Sequence, residues 1–335
     1  MLKKELINKI EKYLDFDLVD KAILETKHTS NLENFKDLNL IVNLEKINNA
    51  RYINKLHERI NITLSENGIY LSCAETLNER AKRYNDNVPY GLKSIIRLID
   101  FIWKRLIPKV PIFKKLYFML TNGDNRVLSK AEVLGRVVSC GFRIEEYFEY
   151  NNLLYIIAKK IKDPDYNMKP SYGALFTMNR IGYKGEIIYV YKFRTMHPYS
   201  EYCQALITEE NSLEKSGKIS NDYRITTWGK YFRKYWIDEL PMIINLFKGE
   251  LNIVGVRPLS KHYYSLYPKD IQELRIKVKP GLVPPFYADL PNSFEEILES
   301  ERKYVLMKLK NPIMTDVKYF YKAFVNIVFK GARSK

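Results

Sequence analysis

Leu38-Asn39-Leu40-Ile41-Val42-Asn43-Leu44 is a short apolar run of the kind that buried strands carry. From Ala50 to Ser65, apolar side chains recur at helical spacing (Ile53, Leu56, Ile60, Leu64), and Asn67-Gly68 supplies a stop. Ile69-Tyr70-Leu71-Ser72-Cys73-Ala74 then predicts a second strand. A strand, a helix and a strand in such quick succession predict an α/β layer structure for this half of the chain.

Downstream, a basic and aromatic stretch runs from Leu92 to Leu120, broken by Pro108 and Pro111. Ser129-Lys130-Ala131-Glu132 has capping-box spacing and opens a helix that ends near Gly141. Arg143 to Phe148 and Leu153 to Lys159 flank Asn151-Asn152 as a hairpin. The order strand, helix, strand, helix, helix, closing antiparallel hairpin resembles the second half of a Rossmann-like methyltransferase. No GxGxxG-like loop lies between Met1 and Asp37, so the module is read as structural or partner-binding, without a recognisable cofactor site. Upstream, Met1-Leu2-Lys3-Lys4-Glu5 leads into a charged helix rather than a signal peptide.

Asp163-Pro164-Asp165 through Tyr172-Gly173 is polar and turn-rich. The expected organisation is therefore α/β in two parts. A truncated Rossmann-like domain spans 1–162, a linker 163–173, and an α+β domain 174–335.

The formal charge of +16 points to phosphorylated substrates, an anionic membrane surface or nucleic acid. Nucleic acid is disfavoured, because no recognition helix, RNA-binding strand signature or zinc module is legible. Cys73, Cys140 and Cys203 are scattered and odd in number, which argues against a disulfide framework or a zinc site. No stretch approaches the run of about 20 apolar residues that a spanning helix needs.

In the second half, Ala174 to Glu186 reads as a strand and a glycine-containing turn, and Ile187 to Met196 as its partner. Lys192 and Arg194, two residues apart, are expected on one face, where an anion such as a diphosphate relieves their repulsion. Trp228 to Tyr235 suits a helix with Phe232 and either Tyr235 or Trp236 inward. Asp238 and Glu239 precede Leu240-Pro241, which places two carboxylates at a helix start, where the dipole favours their ionised forms. Adjacent carboxylates among cations suit phosphoryl chemistry: one attacks phosphorus and the other holds a cation, while Arg233 and Arg257 clamp phosphate oxygens.

Several ordered motifs then resemble the bacterial sugar transferase family, the monotopic phosphoglycosyl transferases. These are Tyr191-Lys192-Phe193-Arg194-Thr195-Met196, Arg224-Ile225-Thr226 with Gly229, Phe232-Arg233, Asp238-Glu239-Leu240-Pro241, Asn245, and Gly249 to Val256-Arg257-Pro258. The resemblance runs from about Ser171 to the C-terminus. It implies transfer of a sugar-1-phosphate from a UDP-sugar to a polyprenyl phosphate, initiating polysaccharide or glycoconjugate assembly. It makes Asp238 the nucleophile that carries the phosphosugar and Glu239 the Mg²⁺ ligand. Arg233 and Arg257 match family phosphate contacts, and Lys192, Arg194 and Arg224 match its basic positions. The competing reading is a catalytically silent, membrane-associated scaffold of a polysaccharide assembly system.

The sequence departs from the family in three places. The strand Leu153 to Lys159 and a polar linker stand where members carry an apolar re-entrant membrane helix. Lys279-Pro280-Gly281 continues as Leu282-Val283-Pro284-Pro285 in place of Pro-Gly-Ile-Thr-Gly, and Val256 replaces a proline. Attachment to the cytoplasmic face of the inner membrane is accordingly expected to be peripheral. Ile95 to Leu120 is one candidate for it, and the C-terminal stripe of Val317, Phe320, Tyr321, Phe324 and Val328 is the other; the alternative is that both stripes pack into cores. His28, His57, His197 and His262 show no metal or triad spacing, although His197 adjoins the basic strand.

Overall fold

In a computed structural model, the chain is described at residues 7, 11, 20–87, 89, 92–164, 166, 173–210 and 222–332. The N-terminal charged helix and most of the 163–173 linker fall outside these residues. Contacts divide the chain into two compact units, Met1–Tyr172 with Met196–Arg224, and Gly173–Thr195 with Ile225–Lys335.

The first unit is built on a five-stranded sheet. Its strands are β1 (Lys21–Leu24), β2 (Leu38–Lys46), β3 (Leu64–Ala74), β4 (Phe142–Tyr150) and β5 (Leu153–Lys160). The order across the sheet is β1-β2-β3-β5-β4. The first three strands are parallel, and β5 runs antiparallel to both β3 and β4. The predicted closing hairpin is present, and Asn151 and Asn152 at φ 49 and 59 give it the double left-handed turn that matches strand twist. Leu40 and Val42 alternate with Ile41 along β2, and all three are fully buried, so both faces of the sheet are covered.

Helices α1 (Ile53–Thr63), α2 (Leu77–Asn87), α3 (Lys93–Phe101), α4 (Pro111–Thr121), α5 (Lys130–Ser139) and α6 (Gln204–Glu210) complete this unit. In the main core, Leu56 and Ile60 of α1 and Val133, Leu134 and Val137 of α5 pack on Ile41, Tyr70 and Ile156. The Ser129 side chain accepts from the Glu132 backbone N–H at 3.2 Å, which realises the N-terminal half of the predicted capping box. Asn67-Gly68 does not end α1. The helix stops at Thr63, because Leu64 is already extended and pairs with Leu38. Asn67, at φ 63, lies instead where the β2–β3 register jumps from Leu38↔Leu64 to Leu40↔Ile69, a bulge within the strand. β1 is only four residues long, too short for an alternating pattern to announce it.

The second unit opens with the antiparallel hairpin β6 (Leu175–Ile181) and β7 (Ile187–Phe193). α7 (Thr227–Lys234) and α8 (Ile243–Phe247) follow, and β8 (Asn252–Val254) later pairs in parallel with β9 (Gly281–Val283). Between those strands lie α9 (Lys261–Ser265) and α10 (Lys269–Arg275). α11 (Phe286–Asp289), α12 (Phe294–Lys310) and α13 (Pro312–Val328) close the chain. Their core gathers Val254, Val256, Tyr287, Tyr304, Tyr319 and Ala323. Gly255 and Gly281 let β8 and β9 meet: a Cβ on Gly281 would lie 2.1 Å from the Gly255 nitrogen. That close approach is a physical reason for glycine in both Val-Gly-Val and Pro-Gly.

Candidate active site

Asp238 and Glu239 occupy the first turn of a 3-10 helix, Ile237–Met242, as their place before Leu-Pro predicted. The chain enters this helix through Trp236 at φ 56, a left-handed conformation that costs a bulky residue about 1–3 kcal/mol. The indole is held where it stands. Its Nε1 donates to the Tyr287 hydroxyl at 2.8 Å, and the two rings meet edge to face with centroids 5.5 Å apart. Of the two aromatics proposed as inward-facing, Trp236 is therefore the packed one, and Tyr235 is exposed.

Three cations reach this dyad. Lys192, near the end of β7, donates to Glu239 Oε1 at 2.6 Å. Arg257, just beyond β8, brings Nη2 to 3.8 Å from the same oxygen. Arg233, in the last turn of α7, acts electrostatically on Asp238 together with Lys192. Its Nε donates to the Thr195 hydroxyl at 2.8 Å. α7 comes this close to the end of β7 because residue 229 lacks a side chain, since a Cβ there would lie 2.3 Å from the Thr195 carbonyl oxygen.

Asp238 is half-buried, and burial pushes its pKa above the ordinary aspartate value. Lys192 and Arg233 pull it down, and Glu239 pushes it up. The helix end was expected to favour the ionised form, but desolvation outweighs it here.

Two basic positions of the sequence pattern are engaged elsewhere. Arg194 donates through Nε to the Gly173 carbonyl at 2.9 Å and lies over the Phe176 ring. Arg224 belongs to the first unit, where it is buried in a pair with Asp222 at 2.7 Å and a hydrogen bond to Gln204 at 2.5 Å. His197 is also in that unit, with Nδ1 3.2 Å from Arg105 Nη2. Burial and the nearby Arg105 lower its pKa to about 4, so at neutral pH it accepts from the guanidinium.

The structure adds residues that the motifs did not assign. Arg180 on β6, next to Ile181 which bridges Leu259, is pulled below the ordinary arginine range by burial and, second, by the charge of Arg257. Arg275 donates to the Arg257 carbonyl at 2.6 Å and is buried in a pair with Glu301, so it fixes the backbone that carries Arg257. Spacing gave no sign of this, because Glu301 comes from a distant helix.

Asn245 is fully buried. It accepts from the Tyr191 N–H at 3.1 Å and donates to the Tyr189 carbonyl at 2.8 Å and to Glu250 at 2.6 Å. It thus ties α8 to the strand that delivers Lys192. Asn245→Ala is expected to cost about 3 kcal/mol by leaving buried groups unpaired. Urea unfolding checks this, and a loss under about 0.5 kcal/mol, typical of a surface change, would contradict it.

A family profile described as bacterial sugar transferase matches residues 154–330, just over half of the chain. The chain belongs to that family. The galactosyl transferase CpsE of Streptococcus agalactiae is 35% identical over 136 residues, covering 39% of this chain and 30% of that protein. The undecaprenyl-phosphate galactose phosphotransferase of Salmonella typhimurium is 34% identical over 114 residues, 32% of this chain and 24% of that protein. The UDP-glucose:undecaprenyl-phosphate glucose-1-phosphate transferase of Escherichia coli is 31% identical over 180 residues, 52% and 33% of the two chains. The matches therefore span about a quarter to a third of these curated relatives. Among solved structures, an O-methyltransferase family protein from Burkholderia thailandensis aligns over 40% of this chain and 33% of that chain. Its TM-score is 0.24 and its identity 12%.

Proposed function

We propose that this chain is a phosphoglycosyl transferase that moves a sugar-1-phosphate from a UDP-sugar to a polyprenyl phosphate through a phosphosugar on Asp238. The observation that carries this reading is the half-buried Asp238-Glu239 pair ringed by Lys192, Arg233 and Arg257 in a member of the sugar transferase family.

A carboxylate oxygen of Asp238 attacks the β-phosphorus of the donor. The bond from that phosphorus to the bridging oxygen breaks, its electron pair stays on the oxygen, and UMP leaves. Arg233, Arg257 and Lys192 hold the phosphate oxygens and offset the charge that builds on them. A phosphate oxygen of the lipid acceptor then attacks the phosphorus of the acyl phosphate, which frees the Asp238 carboxylate and yields a diphosphate-linked lipid sugar.

Mg²⁺ suits the donor set, since hard cations bind through one or two carboxylates together with substrate phosphates. Glu239 makes its described contacts through Oε1, and no described hydrogen bond uses Oε2. Glu239 and the donor phosphates would hold the ion, which when bound neutralises diphosphate charge.

The acceptor's chemistry places the site at a membrane, and we read the attachment as peripheral, on the cytoplasmic face. No described helix is long and apolar enough to cross one. On α13 the predicted apolar stripe faces outward, with Val317, Phe320, Tyr321, Phe324 and Val328 at 46–68% exposure, while Thr315, Tyr319 and Ala323 are buried. That face suits contact with lipid.

The test is to incubate the protein with a panel of UDP-sugars and Mg²⁺ and to measure UMP. Release from at least one donor, abolished by chelation, is expected. No release across the panel would sink the reading. The pH dependence is a second check. Only ionised Asp238 attacks, and its pKa is raised, so the UMP burst should fall with decreasing pH at an inflection above the usual aspartate value of about 3.9. A burst that stays flat down to that value would contradict the assignment.

A further inference from the structure

The segment from α3 to α4 in the first unit wears its apolar stripe on the outside. On α3 and the π-helical turn Ile102–Leu106 that continues it, Ile95, Leu98, Ile99, Ile102 and Leu106 recur at helical spacing and are 41–60% exposed. On α4, Ile112, Phe113, Leu116, Met119 and Leu120 form a second stripe, 49–82% exposed. A surface helix of a globular protein normally turns that stripe inward, and contiguous exposed patches of this kind mark interaction surfaces.

Polar and aromatic anchors hold the segment in this orientation. Arg105 is buried and donates to the Val127 carbonyl at 2.8 Å and to Glu132 at 3.2 Å. Tyr117 is buried on the same inner side, edge to face with Trp103.

The charge selects the occupant. Between Lys93 and Thr121 there are seven Lys or Arg and one Asp, a formal net of 7 − 1 = +6, of which Arg105 is buried against Glu132 and Lys109 approaches the same carboxylate. Asp100 is engaged by Arg80 and Lys104, while Lys114 and Lys115 stand exposed on α4 beside the apolar stripe. A second copy of this face would set lysine against lysine, a juxtaposition that costs affinity. An anionic bilayer offers the opposite charge and an apolar interior together. The helices are too short to span, and Pro108 and Pro111 interrupt the segment, so its geometry is that of a hairpin lying in the interface.

We propose that the Lys93–Thr121 hairpin inserts its apolar face into the headgroup boundary of an anionic phospholipid bilayer, anchoring the first unit independently of the catalytic unit. This rests on the proposed membrane acceptor for its purpose, but not on the transfer chemistry.

The full-length chain is floated with phosphatidylcholine vesicles, with and without phosphatidylglycerol. Binding is expected only with phosphatidylglycerol, accompanied by a blue shift in tryptophan emission that Trp103→Phe removes. The pair Ile112→Glu with Leu116→Glu should weaken binding at least about tenfold, since charge replaces inserted apolar surface. Lys114→Gln with Lys115→Gln, at exposed positions that cannot unfold the protein, should weaken it about 30-fold at low salt, near fivefold per lysine. UMP release from a soluble donor should be unchanged in both variants, because that half-reaction needs no lipid. Several results would overturn the inference: no flotation of the wild type, flotation indifferent to both pairs, or a dimer that the glutamates dissociate without altering flotation. UMP release without vesicle binding sinks the anchor and spares the transferase, and vesicle binding without UMP release does the reverse.

Discussion

Asp238→Asn is expected to lower UMP release by about 10⁴-fold or more, the scale seen when a nucleophile is removed. The substitution should not unfold the protein. A folded-state pKa raised above the unfolded value gives stability that is full below the unfolded pKa and lost as pH rises through the folded one. Ionised Asp238 is therefore a cost to the fold at neutral pH. The amide removes that cost, so the thermal midpoint should hold or rise slightly while activity disappears. Residual UMP release within about tenfold of wild type would place the nucleophile elsewhere.

The largest stability effect is expected at Glu132→Gln in the first unit. Glu132 is buried between Arg105, with Nη1 at 3.2 Å, and Arg136, with Nη2 at 3.0 Å, and Lys109 approaches to 3.7 Å. Burial alone would raise its pKa, but Lys109, Arg105 and Arg136 together hold it well below the usual carboxylate range. The stability it contributes is thus present above the unfolded value of about 4.3 and lost as pH falls toward the folded one. Neutralising it leaves two buried guanidiniums without their anion, at a cost of about 3–5 kcal/mol. Denaturant unfolding at pH 7 should show that loss, and the gap to wild type should close as pH drops. A change under about 0.5 kcal/mol would mean the cluster is solvated.

Which features were legible follows from how local their causes are. The β2–α1–β3 succession, the Asn151-Asn152 turn and the Ser129 cap rest on neighbours in sequence, and the structure has all of them. The Asp-Glu-Leu-Pro element was legible for the same reason: the residues that start its helix lie within it. Long-range causes were not. The Arg275–Glu301 pair that holds Arg257 joins two helices, and no spacing announces it. Arg224 sat inside the motif block, yet Asp222 beside it claims its guanidinium. Arg180 drew no attention until the fold set it near Arg257. Periodicity found the α3–α4 stripe but could not tell an inward from an outward face. Direction is a property of packing, and here Arg105 and Tyr117 decide it.

The central claim is that Asp238 carries the phosphosugar. Wild-type protein is mixed with a turned-over UDP-sugar and Mg²⁺ in the absence of lipid acceptor, quenched in acid, digested and read by mass spectrometry. The account predicts a hexose-phosphate-type mass increment on the peptide containing Asp238, absent from Asp238→Asn and discharged when polyprenyl phosphate is added before the quench. UMP release with that peptide unmodified, or an adduct on another residue, would contradict it.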